Sequence, residues 1–239
     1  MGKFQDTYRL TVSNFDCLDH VLISTILDVF QDIAGKNANS MGYGYEDLLL
    51  KNKIWVVLRT KYKVIKNIPE YENITVRTWT NEPSKIDIYR HYEMLDKDEN
   101  LLVIGSSQWV VVDLSSRRLI KLGDIPQDKN IILPDMPFDG RLKKIDDFSL
   151  DSATKVECKT SYLDLDHNGH VNNTKYGDFI MNNIKELHNQ TIDEFQIDYV
   201  HELSKDEDFS LYYITNDKEI NVIGRNDEKV FFIAKVVLK

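Results

Sequence analysis

The sequence predicts an α+β protein made of two successive repeats, each an antiparallel sheet wrapped around a long central helix. Three observations predict it. A strand, one amphipathic helix and a run of strands joined by short turns occur in that order twice. A stretch holding Pro126, Pro134 and Pro137, three of the chain's five prolines, separates the two occurrences. A length of 239 residues also suits two repeats of roughly a hundred residues or more.

Residues 8–12 open the first repeat, where Tyr8, Leu10 and Val12 alternate with polar residues at the period of a half-buried strand. From Leu22 the apolar residues Leu22, Ile26, Val29, Phe30 and Ile33 share one helical face, and Asp19 or the Ser24-Thr25 pair offers a cap. Gly42-Tyr43-Gly44 reads as the turn that ends this helix. Strands are expected over 54–66, 74–80, 86–95 and 101–112, with Pro69, Glu82-Pro83 and residues 96–100 as turn material between them. Residues 121–153 carry Gly123, Gly140 and the three prolines and no amphipathic period, so they read as a connector. Beyond it, 155–160 alternates as a strand and 163–170 is a polar loop. Tyr176, Phe179, Ile180, Ile184 and Leu187 then mark a helix over 173–187. Strands follow over 195–200, 209–215, 220–224 and 230–238. The echo reaches single residues. Phe15-Asp16-Cys17-Leu18-Asp19-His20-Val21 before the first helix resembles Leu163-Asp164-Leu165-Asp166-His167 and His170-Val171 before the second, as an internal duplication leaves behind. The expected division is a first repeat over 1–122, a connector over 123–153 and a second repeat over 154–239.

Composition narrows the function classes. With 42% hydrophobic and 29% charged residues the chain is neither a disordered tail nor a fibrous repeat. Its apolar runs fall far short of the ~20 residues of a membrane helix. MGKFQDTYRL lacks an apolar signal region, and the two cysteines, Cys17 and Cys158, lie far apart; a reducing, cytoplasmic location is expected. A net charge of −9 argues against a nucleic-acid partner. The charge is uneven. Residues 1–120 hold 15 Lys+Arg against 16 Asp+Glu, and the remainder hold 15 against 23, which gives −1 and −8. The histidines show no metal-ligand spacing, and neither a dinucleotide fingerprint nor a P-loop lysine is present, so neither metal nor cofactor is expected.

The densest polar group is Asp166-His167-Asn168-Gly169-His170-Val171-Asn172-Asn173, where a loop becomes a helix N-terminus. Free amides and the positive end of the helix dipole at such a place suit a developing oxyanion. Taken singly, Asp and Asn are ordinary turn and cap residues. Asp166, Asn168 and His170 are two residues apart, so in an extended or looped segment they can face one side together, and their density points to chemistry.

The string from Asp166 through Tyr176, DxNxHVNNxxY, resembles the signature of the acyl-acyl-carrier-protein thioesterases. Trp55-Val56-Val57-Leu58-Arg59, Ile68-Pro69, Thr78-Trp79, the Arg90 strand and Ser107-Gln108-Trp109 are similar to the first domain of that family. The resemblance implies a tandem hot dog fold and catalytic roles for Asp166, Asn168 and His170, with Glu202 as a further acidic residue. It also implies a first repeat that shapes the acyl-chain pocket. Plant members carry a cysteine directly after that glutamate, where this sequence has Leu203, so a covalent Cys–His–Asn mechanism lacks its nucleophile. General-base hydrolysis is left. Glu202 takes the proton of water and Asp166 orients, or the two exchange roles. Asn168 and His170 hold the water or the carbonyl, and the backbone amides of Val171 and Asn172 complete an oxyanion site.

The expected function is hydrolysis of fatty acyl-acyl carrier protein to free fatty acid and carrier protein, ending fatty acid synthesis. Acyl-coenzyme A hydrolysis by the same site, a non-catalytic acyl-binding module and a dehydratase stand as alternatives. Whether the chain forms a homodimer is open, since two repeats satisfy the pairing of single hot dog domains within one chain. Carrier proteins are acidic as a class. Docking is therefore expected on the near-neutral first repeat, around Lys61, Lys63, Lys66, Arg117, Arg118 and Lys121.

Overall fold

The computed structural model describes residues 2–124 and 129–239; Pro126, counted above within the connector, lies outside them. The chain divides into two compact units, one of Met1–Val12 and Val29–Leu142, the other of Ser13–Asp28 and Lys143–Lys239. In the first unit β1 (Phe4–Arg9), β2 (Lys53–Val64), β3 (Asn73–Thr80), β4 (Asp87–Leu95) and β5 (Leu101–Asp113) lie in the order β1-β3-β4-β5-β2. The short β6 (Arg118–Leu119) pairs with β5. In the second, β7 (Thr154–Lys159), β8 (Ile192–Tyr199), β9 (Asp208–Asn216), β10 (Glu219–Arg225) and β11 (Val230–Leu238) lie in the order β8-β11-β10-β9-β7. Within each unit, neighbouring strands are antiparallel.

Helix α1 (Ile23–Ser40) runs longer than its apolar face required, and the short α2 (Tyr45–Leu49) follows after Gly42, whose φ is +72°. In the first unit Phe30 of α1 stacks flat on Tyr92 of β4, with ring centroids 4.1 Å apart and planes at 6°. Its ring fills the space over Gly105 of β5, where any Cβ would collide with it. Glycine in a strand interior is unfavourable, and here the close approach of the helix requires it. Ile33, Ile74, Val76, Met94 and Val103 are fully buried in this unit.

Strand β1 starts earlier than residues 8–12. Phe4, Asp6 and Tyr8 alternate as half-buried against exposed Gln5, Thr7 and Arg9, in register from Phe4↔Thr78 to Arg9↔Asn73. Pairing ends at Asn73, the first residue of β3, and Val12–Asn14 then form a 3-10 turn.

Helix α3 (Lys175–Asn183) in the second unit is nine residues long, which corrects the expectation of a long helix over 173–187. Ile184 is extended at φ −106° and ψ 96°, and the Asn183 carboxamide donates to the Phe179 carbonyl at 2.8 Å. Residues 185–187 then make a 3-10 turn. Ile184 and Leu187 are both fully buried, so the apolar period outlasts the helix: two core residues arrive from an extended position and a tight turn instead.

The proline-bearing stretch is held down at both ends. Leu133 N–H donates to Thr80 O at 2.9 Å, Thr80 N–H to Ile131 O at 3.0 Å, and Trp79 Nε1 to Asp135 O at 2.9 Å. An Arg59 amine donates to Leu142 O at 3.2 Å, so the first unit continues to Leu142 rather than ending near 122. From Lys143 the chain belongs to the second unit. Ile145 N–H donates to the buried Asp198 carboxylate at 2.9 Å, and the Ile145 side chain packs with Ile223 and Ile233.

His91 of β4 ties one of these anchors to the sheet. It is 2% exposed, with Nε2 2.7 Å from Asn81 Oδ1 and Nδ1 2.8 Å from Ser106 Oγ. Asn81 donates its amide hydrogens to Leu133 O, so its oxygen faces the ring; Nε2 carries the proton and Nδ1 accepts from Ser106. Burial, with Arg90 and Lys3 nearby, pushes the imidazole down to about 4. The unfolded chain thus binds a proton near pH 6.5 that the folded chain refuses until about pH 4. Stability is expected to be undiminished by this group above pH 6.5 and to fall as the pH drops toward 4, by on the order of 3 kcal/mol. Urea unfolding across that range should show the slope in the parent protein and a flatter one in His91→Gln.

Candidate active site

The segment from Asp166 to Asn172 folds around one carboxylate. Asp166 Oδ1 accepts the backbone N–H of Asn168 at 2.8 Å and of His170 at 3.3 Å, and Oδ2 accepts the Asn168 carboxamide at 3.2 Å. The Asp166 N–H donates to His170 O at 2.8 Å, and the Gly169 N–H to Asp166 O at 3.1 Å, with Gly169 at φ +79°. This is an Asx turn closed by a left-handed residue, the geometry that Asp followed by Gly favours. It exposes Asn168 and leaves His170 partly covered.

Glu202 comes from the loop after β8. Its Oε2 is 3.4 Å from His170 Nε2, with the two side chains 55% and 36% exposed, an ion pair when the ring is protonated. The bridge His170↔Ser204 brings the loops together. Asp166, Asn168, His170 and Glu202 therefore form one connected group. Leu203, directly after the glutamate, is fully buried. Its carbonyl accepts the Val171 N–H at 2.9 Å, and its N–H donates to the Tyr176 hydroxyl oxygen at 3.2 Å.

The expectation that the Val171 and Asn172 amides face the substrate is overturned. The Val171 N–H is taken by Leu203 O, and the Asn172 N–H donates to Asp164 O at 2.8 Å. The Asn172 side chain is also engaged, its Oδ1 accepting the Thr174 N–H at 3.2 Å. Both backbone amides hold the loop in shape and have no hydrogen left to offer. The clamp on Leu203 was missed from the sequence, because the only trace there is an aliphatic residue.

The loop of the first repeat has the same construction, and it lies in the second unit, within Ser13–Asp28. Asp16 Oδ1 accepts from Leu18 N at 2.8 Å and His20 N at 2.9 Å, and the Asp16 N–H donates to His20 O at 2.8 Å. Asp19 at φ +61° takes the place of Gly169, and the bridge Phe15↔Val21 matches Leu165↔Val171. The match sets Asp16 against Asp166 and His20 against His170, whereas Asp164 answers to Asn14, whose carbonyl accepts the Leu22 N–H at 3.0 Å. Besides the Asp19/Gly169 exchange, the loops differ at Cys17, Leu18 and Leu22, where the second has His167, Asn168 and Asn172. The turn therefore needs only the aspartate and one left-handed residue, and the Asn168 carboxamide adds a further donor to Asp166 Oδ2.

Among the described residues no group of three or more His, Cys, Asp or Glu converges as a metal site, and no helix is long and apolar enough to cross a membrane.

Two family models match, acyl-ACP thioesterase N-terminal domain over residues 2–127 and acyl-ACP thioesterase C-terminal domain over 149–229. A chloroplastic palmitoyl-acyl carrier protein thioesterase of Arabidopsis thaliana is 29% identical over 199 residues, 77% of this chain and 48% of that one. An oleoyl-acyl carrier protein thioesterase of Coriandrum sativum is 24% identical over 207 residues, 77% of this chain and 55% of that one. The chain thus spans about half the length of these curated relatives. An acyl-ACP thioesterase structure from Bacteroides thetaiotaomicron superposes with a TM-score of 0.88 at 21% identity, covering 99% of this chain and 98% of that one. A 12:0-ACP thioesterase from Umbellularia californica gives 0.87 at 18% identity, covering 99% and 97%. At such identities the likeness shows the fold, a hot dog fold with large antiparallel sheets and few helices.

If Asp166 organises the turn, Asp166→Ala should expose the backbone amides of Asn168 and His170 to fast hydrogen exchange. Asp166→Asn, which keeps an acceptor oxygen, should leave them protected. Both amides can be followed by NMR.

Proposed function

We propose that this chain, which belongs to the acyl-ACP thioesterase family, hydrolyses fatty acyl-acyl carrier protein to free fatty acid and carrier protein, with Glu202 as the general base. The observation that carries the assignment of the base is the unequal employment of two carboxylates. Both oxygens of Asp166 are occupied by the turn it closes. Glu202 is half exposed, and its contact is the His170 ring. A base needs a lone pair facing solvent and substrate, and of the two only Glu202 has this arrangement; Asp166 orients Asn168 and His170.

In the proposed reaction, Glu202 takes a proton from water as its oxygen attacks the thioester carbonyl carbon. The Asn168 carboxamide and the His170 ring steady the oxyanion. Collapse breaks the C–S bond, and the departing thiolate takes up the proton held by the Glu202–His170 pair, leaving acid and thiol. A thioester carbonyl is electrophilic enough that no covalent intermediate is required, which agrees with buried Leu203 standing beside the base. Cys17 and Cys158 are unpaired thiols on other elements, which fits a reducing, cytoplasmic setting.

For the carrier protein we propose the first repeat as the docking side. Arg117 and Arg118 are exposed at the β5–β6 turn, and Lys121 beyond them is exposed as well. A local basic patch can attract an acidic partner even on an acidic chain.

Glu202→Gln is expected to lower kcat by on the order of 10²–10⁴-fold, with Asp166→Asn losing less. Turnover of one acyl group on carrier protein and on coenzyme A tests the substrate, and equal kcat/KM on both would overturn the choice of carrier. Charge reversal of Arg117 and Arg118 should weaken carrier-protein binding and reduce its salt dependence, with little effect on a small thioester substrate. Unchanged carrier affinity would rule out this surface.

A further inference from the structure

Glu202 stands on a loop whose immediate neighbours His201, Ser204, Lys205 and Asp206 are all exposed. A carboxylate on such a loop would wander over several ångströms unless something fixes the backbone beside it. Leu203 is what is fixed. Its side chain has no exposure, its carbonyl is held by Val171, and its N–H is held by the phenol oxygen of Tyr176. On the other side of the glutamate, His201 N–H donates to Phe231 O at 3.1 Å and its ring contacts Val230 O at 2.7 Å.

Tyr176 is well suited to hold one position. It lies in the first turn of α3, directly after the catalytic loop, and is 2% exposed. Its ring is boxed by Tyr199 at 5.4 Å and 90° and by Phe232 at 5.2 Å and 84°. Burial, reinforced by the charges of Glu202, Glu207 and Asp166, pushes the phenol up to about 12. It is therefore neutral at working pH, unable to act as the base and suited to accept a hydrogen bond. Tyr199, against which it packs, donates to Asn173 O at 2.9 Å, so the same aromatic pair also steadies the end of the catalytic loop.

We propose that Tyr176 is a positioning residue for Glu202, acting through the Leu203 backbone, so that the start of α3 holds the His170 loop and the glutamate loop in one register. The inference rests on the reading of Glu202 as the base. Its chemistry is that of distance. A misplacement of about 1 Å at a reacting group can cost about 10²-fold in rate, with substrate binding little changed. Tyr176→Phe keeps the ring contacts and removes only the acceptor for the Leu203 N–H.

The test is a double-mutant cycle on acyl-carrier-protein hydrolysis with Tyr176→Phe, Glu202→Gln and both together. Expected is a fall in kcat of about 10–100-fold for Tyr176→Phe with KM within about threefold, and no further fall when it is added to Glu202→Gln. If both single variants lose activity and their losses multiply in the double variant, Glu202 stands as the base and the role of Tyr176 is overturned. If Glu202→Gln turns over as fast as the parent, the reading of the base fails first and this inference with it. Should Tyr176→Phe not fold, 3-fluorotyrosine at position 176 keeps the shape and weakens the acceptor. It must lower kcat in the parent and not in Glu202→Gln, and an unchanged kcat in the parent would overturn the proposal.

Discussion

One carboxylate, that of Asp166, accepts two backbone amides and a carboxamide within five residues of chain, and the rest of the site hangs from that knot. It turns the chain so that Asn168 is exposed, sets His170 facing the next loop, and delivers residues 171 and 172 to partners elsewhere. A charged acceptor with several donors holds them more strongly than a neutral one does, and this carboxylate holds three. Both of its oxygens are engaged by the turn, whereas the Glu202 carboxylate lies beside the His170 ring.

The duplicated loop isolates this constraint. Asp16 makes the same turn with Leu18 and His20, so the architecture persists where the polar side chain at the centre does not. The shape of the turn is set by the aspartate and a left-handed residue, and the side chain two places after the aspartate varies without disturbing it.

The sheet strands were legible because their signal is local. β5 was expected over 101–112 and spans Leu101–Asp113, since its β-branched and aromatic residues favour a strand. The end of α3 was not legible. Ile184 and Leu187 satisfy a helical period while the backbone leaves the helix, and periodicity records which residues are buried without recording by what path they arrive. In the site, Asp166, Asn168 and His170 were expected from their density and from a string that resembles the family's, and Glu202 from the resemblance alone. The engagement of the Val171 and Asn172 amides could not be read from the sequence. It depends on the Leu203 carbonyl, supplied by a segment distant in sequence, and on an Asp164 carbonyl whose direction only the folded turn sets.

Residues Ser13–Asp28 belong to the second compact unit although they precede nearly all of the first. The chain is therefore continuous in a way that its two-repeat pattern conceals: the order of repeats along the gene is not the order of material in the folded units. A gene divided at the proline-bearing stretch would yield neither unit whole, because the carboxy-terminal product would lack the Asp16 turn and the opening residues of α1. The proline-bearing stretch therefore separates two repeats of sequence without separating the two compact units.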